Sequence, residues 1–118
     1  MEQKLFDSER RVMEVLWEQG ELPAREIARI LAERVGWNKN TTYTVLKKCV
    51  EKGAAGRTDP GFVCRPRITR EQVRKREARD LADRLFGGSP SLLVASLIGD
   101  EALPEEEVER LRALIDAL

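Results

Sequence analysis

Residues Trp37 to Gly53 read WNKNTTYTVLKKCVEKG. Placed on a helical wheel at ~100° per residue, the stretch has two opposed faces. Thr42, Val45, Leu46, Cys49 and Val50 fall on one side. Asn40, Thr44, Lys47 and Glu51 fall on the other, with Thr41 and Lys48 beside them. Asn38 suits an N-cap and Gly53 the C′ position. A run of Asn, Thr, Thr, Tyr and Thr has poor helix propensity, so these residues need a reason other than helix formation. Short hydrogen-bonding side chains near a helix start can read base edges, and cations around them can hold phosphates. A merely solvated helix face is more often a Glu/Lys mixture.

Working outward, two helices are expected before this one. The first spans about Ser8 to Gln19, with Asp7 as N-cap, Gly20 as stop and an apolar stripe of Val12, Met13, Leu16 and Trp17. The second spans about Ala24 to Val35, with Ala24, Ile27, Ala28 and Leu31 inward and Gly36 at its end. Pro23 can start that helix but leaves the capping role unfilled. After Gly53 the pattern turns to strands, Ala54 to Thr58 and Phe62 to Arg67, around an Asp59-Pro60-Gly61 turn. Three helices followed by a hairpin bearing Arg57, Arg65 and Arg67 predict a winged helix-turn-helix.

Thr69 is expected to cap a long helix to about Phe86 whose apolar seam, with Val73, Leu81, Ala82, Leu85 and Phe86, is narrow. Ser89-Pro90 opens a short helix, Leu92 to Ile98, in which nearly every position is apolar, so burial is expected. A last helix runs from Pro104, with Val108, Leu111, Leu114, Ile115 and Leu118 on one side. Residues 69–118 are too thin to form a core alone and make sense as half of a symmetric dimer core. The mainly α chain thus divides into a winged-helix DNA-binding domain, 1–68, and a three-helix dimerisation domain, 69–118. The dimer contacts are expected from Val73, Leu81, Leu85, Phe86, Leu92, Leu93, Leu97, Val108, Leu111 and Ile115.

Charge supports a nucleic-acid partner only when read by position. The 118-residue chain is formally neutral. Residues 1–38 net −2, residues 39–79 carry 12 basic and 4 acidic groups for +8, and residues 80–118 net −6. The basic block coincides with the Asn/Thr helix and the hairpin. With no apolar run of membrane-spanning length and no signal peptide, a cytoplasmic protein without membrane insertion is expected. Two cysteines and no histidine offer no zinc cluster, and neither a metal nor another cofactor is expected. Cys49 and Cys64 could pair, but burial as small apolar residues is the expectation.

With these elements in order, the chain resembles the BlaI/MecI/CopY family of penicillinase-type repressors. The likeness covers nearly the whole chain. It is carried by ERRVMEVLWEQGELPAREIARIL, GWNKNTTYTVLKKCVEKG, FVCRPRITREQ and DRLFGGSPSLLVASLI. The resemblance implies a winged helix with a three-helix dimerisation domain. It implies repression by a homodimer on a dyad-symmetric DNA operator with TACA/TGTA-like half-sites. Matched position by position, Asn40, Thr41 and Thr44 would lie near base edges. Tyr43, Lys47 and Lys48 would approach sugar or phosphate, and Arg57, Arg65 and Arg67 would flank the wing. Some family members have a sensor-protease partner that cuts an Asn-Phe bond in the short C-terminal helix. The matching positions here are Ser96-Leu97, which argues against that control, and the Cys-x-Cys pair of the copper-responsive branch is missing.

Other classes fit less well. No histidine, phosphate loop or nucleophile motif supports an enzyme. A winged helix used for protein–protein contact would not need the basic block. A regulator answering to a small effector would have to bind it without a separate ligand domain.

Overall fold

The computed structural model describes residues 4–99 and 103–118. Its elements run α1 (Asp7–Gln19), β1 (Leu22–Pro23), α2 (Ala24–Val35), α3 (Lys39–Glu51), β2 (Ala55–Thr58), β3 (Val63–Pro66), α4 (Arg70–Leu85), α5 (Pro90–Ile98) and α6 (Glu105–Asp116). The chain forms two compact units, Met1–Glu77 and Ala78–Leu118. The change of unit falls inside α4, whose first half packs with the first unit.

In the first unit the three helices enclose an aliphatic core. Val12, Met13, Val15 and Leu16 of α1, Ile27 and Leu31 of α2, and Leu46 and Cys49 of α3 are almost wholly buried. All but Val15 lie on the stripes that helical periodicity turns inward; Val15 joins the core from outside the expected stripe, and Trp17 on that stripe is only half-buried. The sheet closes the core on one side. It is antiparallel in the order β1-β3-β2, with Leu22 opposite Cys64 and Arg57 opposite Cys64 on the other edge. Strand β1 is absent from the sequence expectation because two residues give no alternation to read. Both hairpin strands are also shorter than expected, leaving Phe62 and Arg67 outside them.

The helix starts show how each orphan amide is satisfied. Asn38 caps α3, its Oδ1 accepting from Thr41 N–H at 2.8 Å. Thr69 and Gln72 exchange side-chain and backbone bonds of 2.8 and 3.0 Å at the start of α4, a reciprocal capping box. Ser89 Oγ accepts from Leu92 N–H at 3.2 Å above α5. Asp7 is not the cap of α1. The helix begins one residue earlier than expected, Phe6 takes the cap position, and the Glu9 carboxylate reaches back to Phe6 N–H at 2.8 Å. Pro23 indeed supplies no side-chain cap to α2. The carbonyl of Phe62 fills the role, accepting from Ala24 N–H at 2.9 Å.

The second unit carries a departure from expectation. Helix α5 forms where expected, but none of its residues is buried within the single chain. Leu92 is 56% and Leu97 72% exposed, and Leu85, Leu114 and Ile115 are exposed as well. The unit is too thin to cover its own apolar surface, so a helix that is apolar at all but Ser91 and Ser96 remains open to solvent. Val73 behaves differently. It is 6% exposed and belongs to the core cluster of the first unit, so it is not open to a second copy, contrary to its expected place among the dimer contacts.

Cys49 and Cys64 are both free and buried. Burial pushes the Cys49 thiol up from 9.0 to about 12; the Glu9 carboxylate adds to the rise and Lys52 opposes it. Burial likewise pushes Cys64 up from 9.0 to about 11, against the pull of Arg57. Each thiol keeps its proton in the fold where the unfolded chain would lose it. Their contribution to stability is therefore complete below pH 9 and falls as pH rises from 9 towards 11 and 12. Two outcomes are expected. Alkylation at neutral pH labels neither cysteine of the native chain but both in denaturant, and Cys49→Ala flattens the alkaline limb of stability against pH. Rapid native labelling of Cys49 would contradict its burial.

Candidate nucleic-acid interface

Helix α3 presents to solvent the face its sequence predicts. Asn40, Thr44, Lys47 and Lys48 are exposed and Thr41 is half-buried, while Thr42, Val45, Leu46 and Cys49 are buried. The Asn38 cap fixes the first turn, so the positions of Asn40, Thr41 and Thr44 follow from a rigid helix rather than a loop. Together with Asn38 and Val45, these three line a shallow depression of about 300 Å³. Asn offers donors and an acceptor, and Thr one of each, so the depression can exchange hydrogen bonds with a polar edge. Among the described residues, Lys47 and Lys48 have no ion-pair partner within 4.0 Å.

Tyr43 is placed differently from its neighbours. It is half-buried, and its ring meets Phe62 edge-on, with centroids 5.6 Å apart at 88°. The guanidinium of Arg57 lies 3.6 Å from the Phe62 ring centroid and Lys39 Nζ lies 5.5 Å from that of Tyr43. An aromatic pair with a cation at each end thus joins the wing to the start of α3. Phe62 holds this place at a φ of 49°, in the left-handed region that a bulky residue rarely adopts. Its carbonyl bond to Ala24 and its ring contacts hold it there. Sequence reasoning gave Phe62 no role beyond opening a strand; an aromatic after Pro-Gly in a basic hairpin was the available signal.

On the wing, Arg57 is paired with Asp59 at 3.0 Å, and Arg65 donates to Thr58 Oγ1 at 2.8 Å. Arg67 is exposed and lies outside β3. Gly56 makes room for the two arginines: a Cβ there would stand 3.1 Å from Arg65 Cζ and 3.2 Å from Arg67 Cδ. The first turn of α4 is tied back to the same unit. Arg70 bonds Glu14 at 3.0 Å, and Trp17 Nε1–H donates to the Ile68 carbonyl at 2.9 Å.

Of the residues expected on the interface, the structure places Asn40, Thr41, Thr44, Lys47 and Lys48 on one helix face. Arg57, Arg65 and Arg67 lie on or beside the hairpin, and Tyr43 lies between helix and wing. Among the described residues no cluster of His, Cys, Asp or Glu could hold a metal ion, and no helix is long and apolar enough to cross a membrane.

Comparison with known proteins fits this arrangement. A penicillinase repressor of Bacillus licheniformis is 24% identical over 115 residues, covering 96% of this chain and 90% of the relative. An uncharacterized 16.5 kDa protein of Latilactobacillus sakei is 23% identical over 116 residues, 97% of this chain and 80% of the relative. The solution structure of the DNA binding domain of the repressor BlaI superposes with a TM-score of 0.54 at 28% identity, covering 59% of this chain and 90% of that domain. The family described as penicillinase repressor matches residues 5–117, so the chain, a winged helix followed by a helical C-terminal part, belongs to the penicillinase repressor family.

Proposed function

We propose that this chain is a DNA-binding transcriptional repressor, cytoplasmic, acting as a homodimer on a dyad-symmetric operator. One observation carries the reading: the face of α3 formed by exposed Asn40, Thr44, Lys47 and Lys48 and half-buried Thr41, flanked by wing arginines, on a fold similar to the BlaI DNA-binding domain. Helix α3 enters the major groove, with Asn40, Thr41 and Thr44 at base edges and Lys47 and Lys48 on phosphates. Arg57, Arg65 and Arg67 hold the flanking backbone. Tyr43 acts mainly by fixing the wing to α3. The winged-helix part, 1–68, binds DNA, and residues 69–118 bring two copies together through α4 to α6, without Val73. At the bond where a sensor-protease would cut its family target, α5 carries Ser96-Leu97, and the reading assigns no cleavage there.

Thr44→Ala tests the base-edge assignment. It is expected to weaken binding to the operator by about 1–3 kcal/mol while leaving binding to unrelated DNA nearly unchanged. The comparison is made by titrating both duplexes at one salt concentration. Equal loss on the two would move Thr44 to a backbone contact.

A further inference from the structure

The basic block contains one lysine that does not face outward. Lys52, the C-cap of α3, has a side chain only 15% exposed. Its Nζ lies 2.6 Å from Glu9 Oε1 and donates to the Lys4 carbonyl at 2.8 Å. It also stands 4.1 Å from the Phe6 ring centroid. Glu9 is 1% exposed, and the same Oε1 accepts from Phe6 N–H, the bond that starts α1. The Cys49 thiol, one turn earlier on α3, points at the Glu9 carbonyl at 3.7 Å. Three directional contacts therefore tie the last turn of α3 to the first turn of α1 and the strand of chain before it.

We infer that Glu9 and Lys52 are positioning residues for DNA recognition: the pair sets the direction of α3 and hence where Asn40, Thr41 and Thr44 meet the base edges. The inference rests on the reading of α3 as the recognition helix. Apolar contacts among Leu46, Val12 and Met13 would tolerate small rotations of α3, because they have no preferred direction. A carboxylate oxygen shared between an ammonium and a backbone amide tolerates little. Replacing a buried ion pair with apolar side chains often leaves stability intact, which allows direction and stability to be separated. Lys52 is also excluded as a phosphate contact, since its ammonium is already committed inside the fold.

The test uses the full chain and the double variant Glu9→Met/Lys52→Met. The probes are a duplex taken from the region that the unaltered protein protects in footprinting of its own promoter, and a scrambled duplex of equal length. Both are titrated across a range of salt. The expected result is a folded protein whose preference for the protected duplex falls tenfold or more. The slope of log affinity against log salt stays that of the unaltered protein. A preference within twofold of the unaltered protein would overturn the inference, showing the pair to hold the fold and nothing more. A shallower salt slope would also overturn it, by placing Lys52 on a phosphate. Should the double variant fail to fold, Lys52→Arg keeps the charge but puts a wider planar guanidinium in place of the compact ammonium, and the preference for the protected duplex is judged by the same limits. An unaltered protein that protects no region would fail the recognition-helix reading itself, which separates the two failures.

Discussion

Lys52→Met is expected to lower the unfolding free energy by about 3–5 kcal/mol, because it strands a buried carboxylate. Glu9 is 1% exposed, and Lys52 at 2.6 Å is its only cationic partner among the described residues. Glu9 Oε2 already lacks a partner, so nothing is in place to take over the lost bond. The charge would have to be neutralised or dragged to the surface, opening α1 from α3. In a urea titration followed by the fluorescence of Trp17 and Trp37, the midpoint should fall with little change in slope. Glu9→Gln should cost less, about 1–3 kcal/mol, because the amide can still accept from Phe6 and Lys52 can turn to water. A loss below about 1 kcal/mol for Lys52→Met would show the pair to be screened like a surface ion pair.

Glu substitutions at both Leu92 and Leu97 are expected to yield a folded monomer whose operator affinity is lower by a factor on the order of 100 or more. Both leucines are exposed in the single chain, at 56% and 72%, so neither substitution opens a core. Placed in an interface between copies, each glutamate would bring a desolvated charge. Loss of the second copy removes the gain from tethering two half-site readers, which is worth a factor of about 100 to 10,000. Sedimentation equilibrium gives the oligomeric state and a binding titration the affinity. A double variant that still sediments as a dimer would move the interface away from α5.

Much of this was legible in the residues. Periodicity gave the inward faces of α1, α2 and α3, because each stripe is long enough to repeat. Asn38, Thr69 and Ser89 were readable as caps because capping chemistry is local. What escaped depended on distant partners. Strand β1 exists only because β3 lies beside it. The cap of α2 comes from Phe62, which the chain reaches only after another helix and strand. Glu9 is three and four residues before Val12 and Met13, in phase with the apolar stripe, yet a carboxylate there reads as an error until Lys52 is seen opposite. Lys52 itself was indistinguishable in sequence from the exposed Lys47 and Lys48. Helix α5 was expected to be buried from its composition. That reasoning supplies the need for a cover but not its source, and a single chain leaves the helix open.

The most direct measurement is footprinting of the purified protein across its own promoter region, repeated as salt is raised. The expected result is one protected, dyad-symmetric stretch with two half-sites, lost steeply with salt as the lysine and arginine contacts to phosphate are screened. Protection of a single unpaired half-site would contradict the homodimer. Binding that ignores salt, or no protection at any concentration, would contradict the DNA reading of the α3 face.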